Sequence, residues 1–149
     1  MRVGHGILSL GLAMTASLAI AQSTPPVASV GAPYATALTG QPGDPTRGRR
    51  LIVDRQQGFC LLCHGGPFPE EKFQGTLAPD LSIKAGQRVA HDVRAQLLAP
   101  SLFNPDTIMP SYGHAAVTGV RVHPQFQGKA LLQPQDIEDV VAFLMQMQP

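Results

Sequence analysis

Apolar positions are unevenly spread along the chain, and their spacing predicts where it is ordered. Residues 6–20 form a run of apolar side chains broken only by small or hydroxyl residues. A short basic start, Met1-Arg2, precedes it, and Ala19-Ile20-Ala21 gives a small-x-small pattern just before Gln22. The run is too short to span a bilayer comfortably and no stop-transfer charges follow. Residues 1–21 therefore read as a secretory signal cleaved after Ala21, against an uncleaved anchor. Residues 22–43 show no sustained period of 2 or 3.6 and hold Pro25, Pro26, Gly31, Pro33, Gly40, Pro42 and Gly43. Such a Pro/Gly-rich stretch is an arm or linker, either a loose or surface-wrapping tail or an arm laid on a partner chain.

Ordered structure is expected over 44–149. Asp44-Pro45 offers an N-cap oxygen followed by Pro at the first helical position, and Leu51, Ile52 and Phe59 predict a helix running toward Cys60. A second helix is predicted over 87–98, with Val89, Val93 and Leu97 four apart on one face and Pro100 stopping it. A third begins near Pro134. Asp136 and Glu138 sit in its first turn, where the helix dipole favours negative charge. Ile137, Val140, Val141, Leu144 and Met147 keep the spacing of a buried stripe. Two long irregular stretches, 65–86 and 99–133, separate these helices. There is no alternating strand run and no internal repeat. The fold class is all-α, and loops this long in so small a domain need an organiser.

Composition narrows this further. At 149 residues one domain is expected. Eleven Lys and Arg face ten Asp and Glu, so no global charge argues for nucleic acid or an anionic membrane. Removing 1–21 takes away Arg2 and leaves the mature chain neutral. There is no Trp, and Phe and Tyr total eight, so core volume must come from elsewhere.

The two cysteines supply it. They stand in Cys60-Leu61-Leu62-Cys63-His64, and C-x-x-C-H is the attachment spacing of c-type haem. Two thiols add across the two vinyl groups of one porphyrin, and the adjacent His is placed as an axial ligand of the iron. In chains of this composition the pattern arises by chance roughly once in a thousand. A thioredoxin-like pair would need a βαβ pattern, which is absent. A zinc site would need a second ligand pair, and a disulfide across two residues would staple almost nothing. A single covalently bound haem c would act as core and give the long loops something to wrap.

Iron then needs a sixth ligand or an open site. Met109, Met145, Met147, His91, His114 and His123 are the candidates. Met109 lies in Asn104-Pro105-Asp106-Thr107-Ile108-Met109-Pro110, an extended Pro-flanked loop able to cross the distal face, and is assigned. The metal ligands are thus His64 and Met109. Met145 and Met147 read as core or surface of the last helix. On the proximal side, His64 needs an acceptor for its second ring nitrogen. Ala78-Pro79-Asp80-Leu81 offers the Pro79 carbonyl, with an ordinary turn as the alternative.

The order Cys-x-x-Cys-His, Pro-Asp-Leu, Met-Pro and amphipathic terminal helix resembles class I cytochromes c over 44–148. That likeness implies three to four short helices and long loops around one haem, with Gly48 and Phe143 at the crossing of first and last helices. Gly43-Asp44-Pro45-Thr46-Arg47-Gly48-Arg49, Asp54-Arg55-Gln56-Gln57-Gly58-Phe59-Cys60, the Asn104–Tyr112 segment and Leu131-Leu132-Gln133-Pro134 resemble more closely the SoxX family. These are the monohaem cytochrome subunits of SoxAX sulfur-oxidation complexes. The resemblance implies a periplasmic electron-transfer subunit, with Cys60, Cys63, His64 and Met109 as haem-binding residues and no catalytic residue of its own. It implies a SoxA-type dihaem or monohaem partner, transient contact with a SoxYZ carrier, and a downstream electron acceptor. The reaction implied is that of L-cysteine S-thiosulfotransferase, coupling thiosulfate to a carrier cysteine. Ala78 stands where the family usually has Gly, and Gln133 where Ser or Thr is commoner; Gln caps poorly.

A free soluble cytochrome shuttling electrons in a respiratory chain is the alternative. Free carriers often steer by a lopsided charge, which the neutral mature chain lacks. A haem peroxidase or gas sensor would need an open sixth position, against Met109. Arg47, Arg49 and Arg50 cluster before the haem motif and read as a solvated face.

Overall fold

The computed structural model describes residue 1 and residues 29–113 and 124–148. Residues 2–21 of the expected signal segment, residues 22–28 of the arm, and His114 and His123 lie outside these. Four α-helices occur among the described residues: α1 (Pro45–Val53), α2 (Cys60–Cys63), α3 (Ala90–Leu98) and α4 (Pro134–Gln146). Single 3-10 turns at Ala32–Tyr34, Pro100–Leu102 and Pro124–Phe126 punctuate the loops. There is no strand among the described residues, and the architecture is the all-α fold of class I cytochromes c.

α1 starts where Asp44 accepts hydrogen bonds from Thr46 N (2.8 Å) and Arg47 N (3.2 Å), with Pro45 filling a position that needs no donor. The helix does not run on to Cys60. Asp54 turns extended and its side chain accepts from Gln56 N (2.7 Å) and Gln57 N (3.1 Å), an Asx turn that competes with helical bonding. Phe59 then adopts a left-handed backbone (φ 58°), and the chain reverses into α2.

α3 begins at Ala90, three residues later than the periodicity predicts. Gly86 is left-handed (φ 72°) and donates to Met147 O, so the chain is still turning there. Val89 is left 46% exposed. The buried residues of α3 are Arg94, Ala95, Leu97 and Leu98, not the Val89–Val93–Leu97 row.

α4 carries the expected stripe, with Ile137, Val140, Val141, Leu144 and Met147 all buried. Its start is closed from inside: the Asp136 carboxylate accepts from Gln133 N (3.0 Å), replacing a Ser or Thr cap. α1 crosses α4 so closely that a Cβ on Gly48 would lie 2.0 Å from Asp139 O. The close approach is thus at Asp139 and Val140. Phe143, one turn on, packs instead on Phe68, ring centroids 6.0 Å apart.

Two buried carboxylates on α4 tie the domain together. Glu138 accepts bidentately from Arg94 of α3 (2.7 and 2.9 Å) and from Leu38 N (2.9 Å). Asp139, fully buried, accepts from Asp44 N (2.7 Å), from Gln135 Nε2 (3.1 Å) and from Arg47. Arg94 also donates to Tyr34 O (2.6 Å), and Gly31 N donates to Asp92 (2.8 Å), so residues 29–43 run across α3 and α4 of this same chain. Arg47 and Arg49 are not merely solvated. Arg49 pairs with Glu70 and stands 5.5 Å over the Phe68 ring.

Burial alone would raise both carboxyls, but their hydrogen bonds and the Arg94 and Arg47 charges outweigh it and hold them below the ordinary range. A depressed folded pKa gives stability that is complete above the unfolded value of about 4 and is lost as pH falls through the folded value. Thermal unfolding of the holoprotein should therefore move to lower temperature between about pH 5 and pH 3. Glu138→Ala should cost about 3–5 kcal/mol at neutral pH by stranding Arg94 and should flatten that acid slope. An unchanged slope would show that the pair contributes nothing.

Candidate functional site

Inside the bundle lies a cavity of about 520 Å³, within the range of small-molecule and cofactor sites. Ile52 of α1, Val93 and Leu97 of α3 and Val140 and Leu144 of α4 give it apolar walls. Cys60 and His64 open onto it from the α2 side, and Met109 and Tyr112 from the 104–112 strap. Cys63 is half-buried and does not line it.

The loop after α2 is folded back to serve His64. Gly75 N donates to Leu61 O (2.9 Å), Ala78 N to Cys63 O (3.0 Å) and Leu81 N to Gly65 O (2.8 Å). The Gln74 side chain braces the bend by contacting Gly66 N, Phe68 O and Glu71 O. This return brings Pro79 O to 2.7 Å from His64 Nδ1. A carbonyl can only accept, so Nδ1 carries the proton and Nε2 keeps a free lone pair. The turn forms with Ala78 in place of Gly.

The strap that carries Met109 is also pinned. Asn104 accepts from Asp106 N (3.0 Å) through its side chain and from Thr107 N (3.1 Å) through its backbone, and Thr107 Oγ1 accepts from Met109 N (3.1 Å). Beyond it, Ser111 Oγ donates to Leu98 O (2.5 Å), and Tyr112 N donates to Leu97 O (2.8 Å). Met109 is therefore held against the end of α3.

The other candidate ligands are elsewhere. Met147 is buried in the core, Met145 is exposed on α4, and His91 contacts Ser29 Oγ (2.5 Å) under the arm. Among the described candidates, Met109 alone shares the cavity with His64. No three His, Cys, Asp or Glu side chains of the described residues come together as a site for a bare ion.

Burial pushes the Cys60 thiol up to about 11, against a lowering hydrogen bond from Tyr112. Burial likewise drives the Tyr112 phenol well above its ordinary range. Tyr112 and Arg88 are site residues that sequence reasoning did not single out. For Tyr112 the available signal was its place three residues after Met109.

The donor set suits an iron porphyrin: an imidazole with its tautomer fixed, a thioether on a separate segment, apolar walls, and two cysteines with the C-x-x-C spacing of haem attachment. His64 and Met109 are the residues that could hold the metal. Cys60 and Cys63 could hold the ring.

No family model and no curated protein matches the sequence. Among solved structures, a chain of SoxXA from P. pantotrophus is similar, with a TM-score of 0.68 and 33% identity. The similarity covers 80% of this chain and 91% of that one. An identity of that size over most of both chains means that the chain belongs to the same family of cytochrome c-type proteins as that SoxXA chain.

Proposed function

We propose that this chain is the monohaem electron-transfer subunit of a SoxAX-type complex, exported to the periplasm and freed of residues 1–21. The observation that carries the haem part is the shared cavity: His64, with Nδ1 tied to Pro79 O, and Met109, on its pinned strap, open onto one apolar space beside Cys60. Cys60 and Cys63 would hold the ring as thioethers, and His64 Nε2 and the Met109 sulfur would hold the iron. The bound haem supplies a one-electron iron couple. A thioether ligand raises its potential relative to two nitrogen ligands and closes the iron to small molecules. The residues here would bind and orient that group.

The likeness to a SoxXA chain supports a SoxA-type cytochrome as the partner. The thiosulfate-coupling step belongs to that complex and its SoxYZ carrier, and this chain passes the electrons to a downstream acceptor. The near-neutral charge fits a docked subunit better than a freely steered carrier. No helix among the described residues is long and apolar enough to cross a membrane.

Co-expression of the full chain with a SoxA-type partner tests the reading. The two should co-purify as a stable complex, and thiosulfate with the SoxYZ carrier should reduce the haem of this chain. Recovery as a lone holoprotein, with no thiosulfate-dependent reduction on mixing, would make it a free respiratory carrier instead.

A further inference from the structure

α3 is a helix that needs support from outside. It has nine residues, fewer than the about 12–15 that an isolated helix requires in water. Its N-cap is Val89, whose side chain offers no oxygen to the first free N–H groups. Its buried side is short of apolar area, with Ala95 and the charged Arg94 beside Leu97 and Leu98.

The arm supplies what is missing. Gly31 N donates to the Asp92 carboxylate (2.8 Å), Ser29 Oγ stands 2.5 Å from His91 Nε2, and Tyr34 O accepts from Arg94 (2.6 Å). The seating at Gly31 is close. Its backbone is ordinary (φ −81°), so its conformation does not call for glycine. A Cβ there would lie 2.6 Å from both Asp92 Cα and His91 O, so the approach does. Further along the arm, Leu38 N donates to Glu138 (2.9 Å), the carboxylate forked onto Arg94. The first half of α3 is thus fixed to α4 by the arm.

The far end of the same helix holds the Met109 strap. Leu97 O accepts from Tyr112 N (2.8 Å) and Leu98 O from Ser111 Oγ (2.5 Å). A short helix moves as one rigid element, so a tilt at Asp92 carries Leu97 and Leu98 with it. Met109 also borders a second space of about 360 Å³, lined by Leu98, Pro100 and Thr107, into which a released side chain can turn. Cys60, Cys63 and His64 belong to α2 and the loop that returns on it. Among the described residues, the hydrogen bonds of 29–43 to other elements reach α3 and α4 and not that loop.

We propose that residues 29–38 are a clasp that positions Met109: by fixing α3 they keep the thioether in the cavity, and loosening them opens the sixth position of the iron to outside ligands while the His64 side stays intact. This rests on the haem reading above. Gly31 and Asp92 are positioning residues, since neither lines the cavity.

The test is uptake of imidazole by the purified full-length ferric holoprotein, followed as loss of the sulfur-to-iron charge-transfer absorption, with thermal unfolding measured alongside. Imidazole must wait for the thioether to leave. Gly31→Ala and Asp92→Ala should each take it up about tenfold faster than wild type, the worth of one hydrogen bond to a carboxylate. Asp92→Asn keeps an acceptor for Gly31 N and should stay near the wild-type rate. Leu51→Ala, a buried change on α1 outside the cavity, is the control for general loosening: it should melt at lower temperature without faster uptake. Equal acceleration in Leu51→Ala, or unmoved rates in Gly31→Ala and Asp92→Ala, would overturn the proposal. If one of those two yields no folded protein, the other decides. Absence of covalent haem from the wild-type chain, seen as extractable or missing pigment, would sink the haem reading itself. Attached haem with unmoved rates would sink this inference alone.

Discussion

Gly48→Ala should leave little folded protein. An alanine Cβ at this position would stand 2.0 Å from Asp139 O and 2.9 Å from Val140 N, both backbone atoms that cannot rotate aside. α1 and α4 would have to part, which breaks the Asp44 and Arg47 contacts to Asp139 and unpacks Ile52 from Val140. In an ordinary helix interior, glycine to alanine is stabilising by about 0.5–1 kcal/mol. Here the sign should reverse and the loss exceed about 4 kcal/mol, a large part of the margin of about 5–15 kcal/mol that a domain possesses. Denaturant unfolding of the holoprotein decides it. A variant as stable as wild type would mean that the two helices do not cross at this residue.

Cys60→Ala/Cys63→Ala, which removes both residues proposed to attach the haem, should be the second most damaging change. The fold encloses about 520 Å³ between its helices. At about 24 cal/mol per Å³ of void, keeping that space empty would cost up to about 12 kcal/mol. Water entering from the open side lowers the figure, yet it remains comparable with total domain stability. The double variant should show reduced helical signal and no cooperative melt, whereas the wild-type holoprotein should melt sharply. A cooperative melt in the haem-free variant would show that the helices hold without their filling.

The features legible in the sequence were those written in short local patterns. The α4 stripe follows from a 3.6-residue period. Met109 on its Asn-Pro-Asp-Thr turn, and Pro79 opposite His64, could be read because each depends on a few adjacent residues. The features missed depend on distant partners. Arg94 looks like a solvent residue until Glu138, on another helix, buries it. α1 was extended toward Cys60 because nothing in its apolar spacing reveals that Asp54 would take two backbone donors for itself. Tyr112 faces Cys60, and Arg88 faces a cavity lined from six separate segments, neither of which leaves a periodic trace. Gln133 was expected to make a weak helix start. The remedy lay three residues on, in Asp136.

The Arg47–Asp139 contact joins residues 92 positions apart, and the thiols, the histidine and the methionine all lie between them in the chain. Closure of this domain is therefore late in time as well as long in range. While the chain is being delivered from its N-terminal end, the Cys60–His64 segment emerges well before the helix that will lock it in. Contacts of such sequence separation form slowly, since the intervening loop must be closed first. The interval leaves both thiols reachable, and the last helix closes over the cavity afterwards.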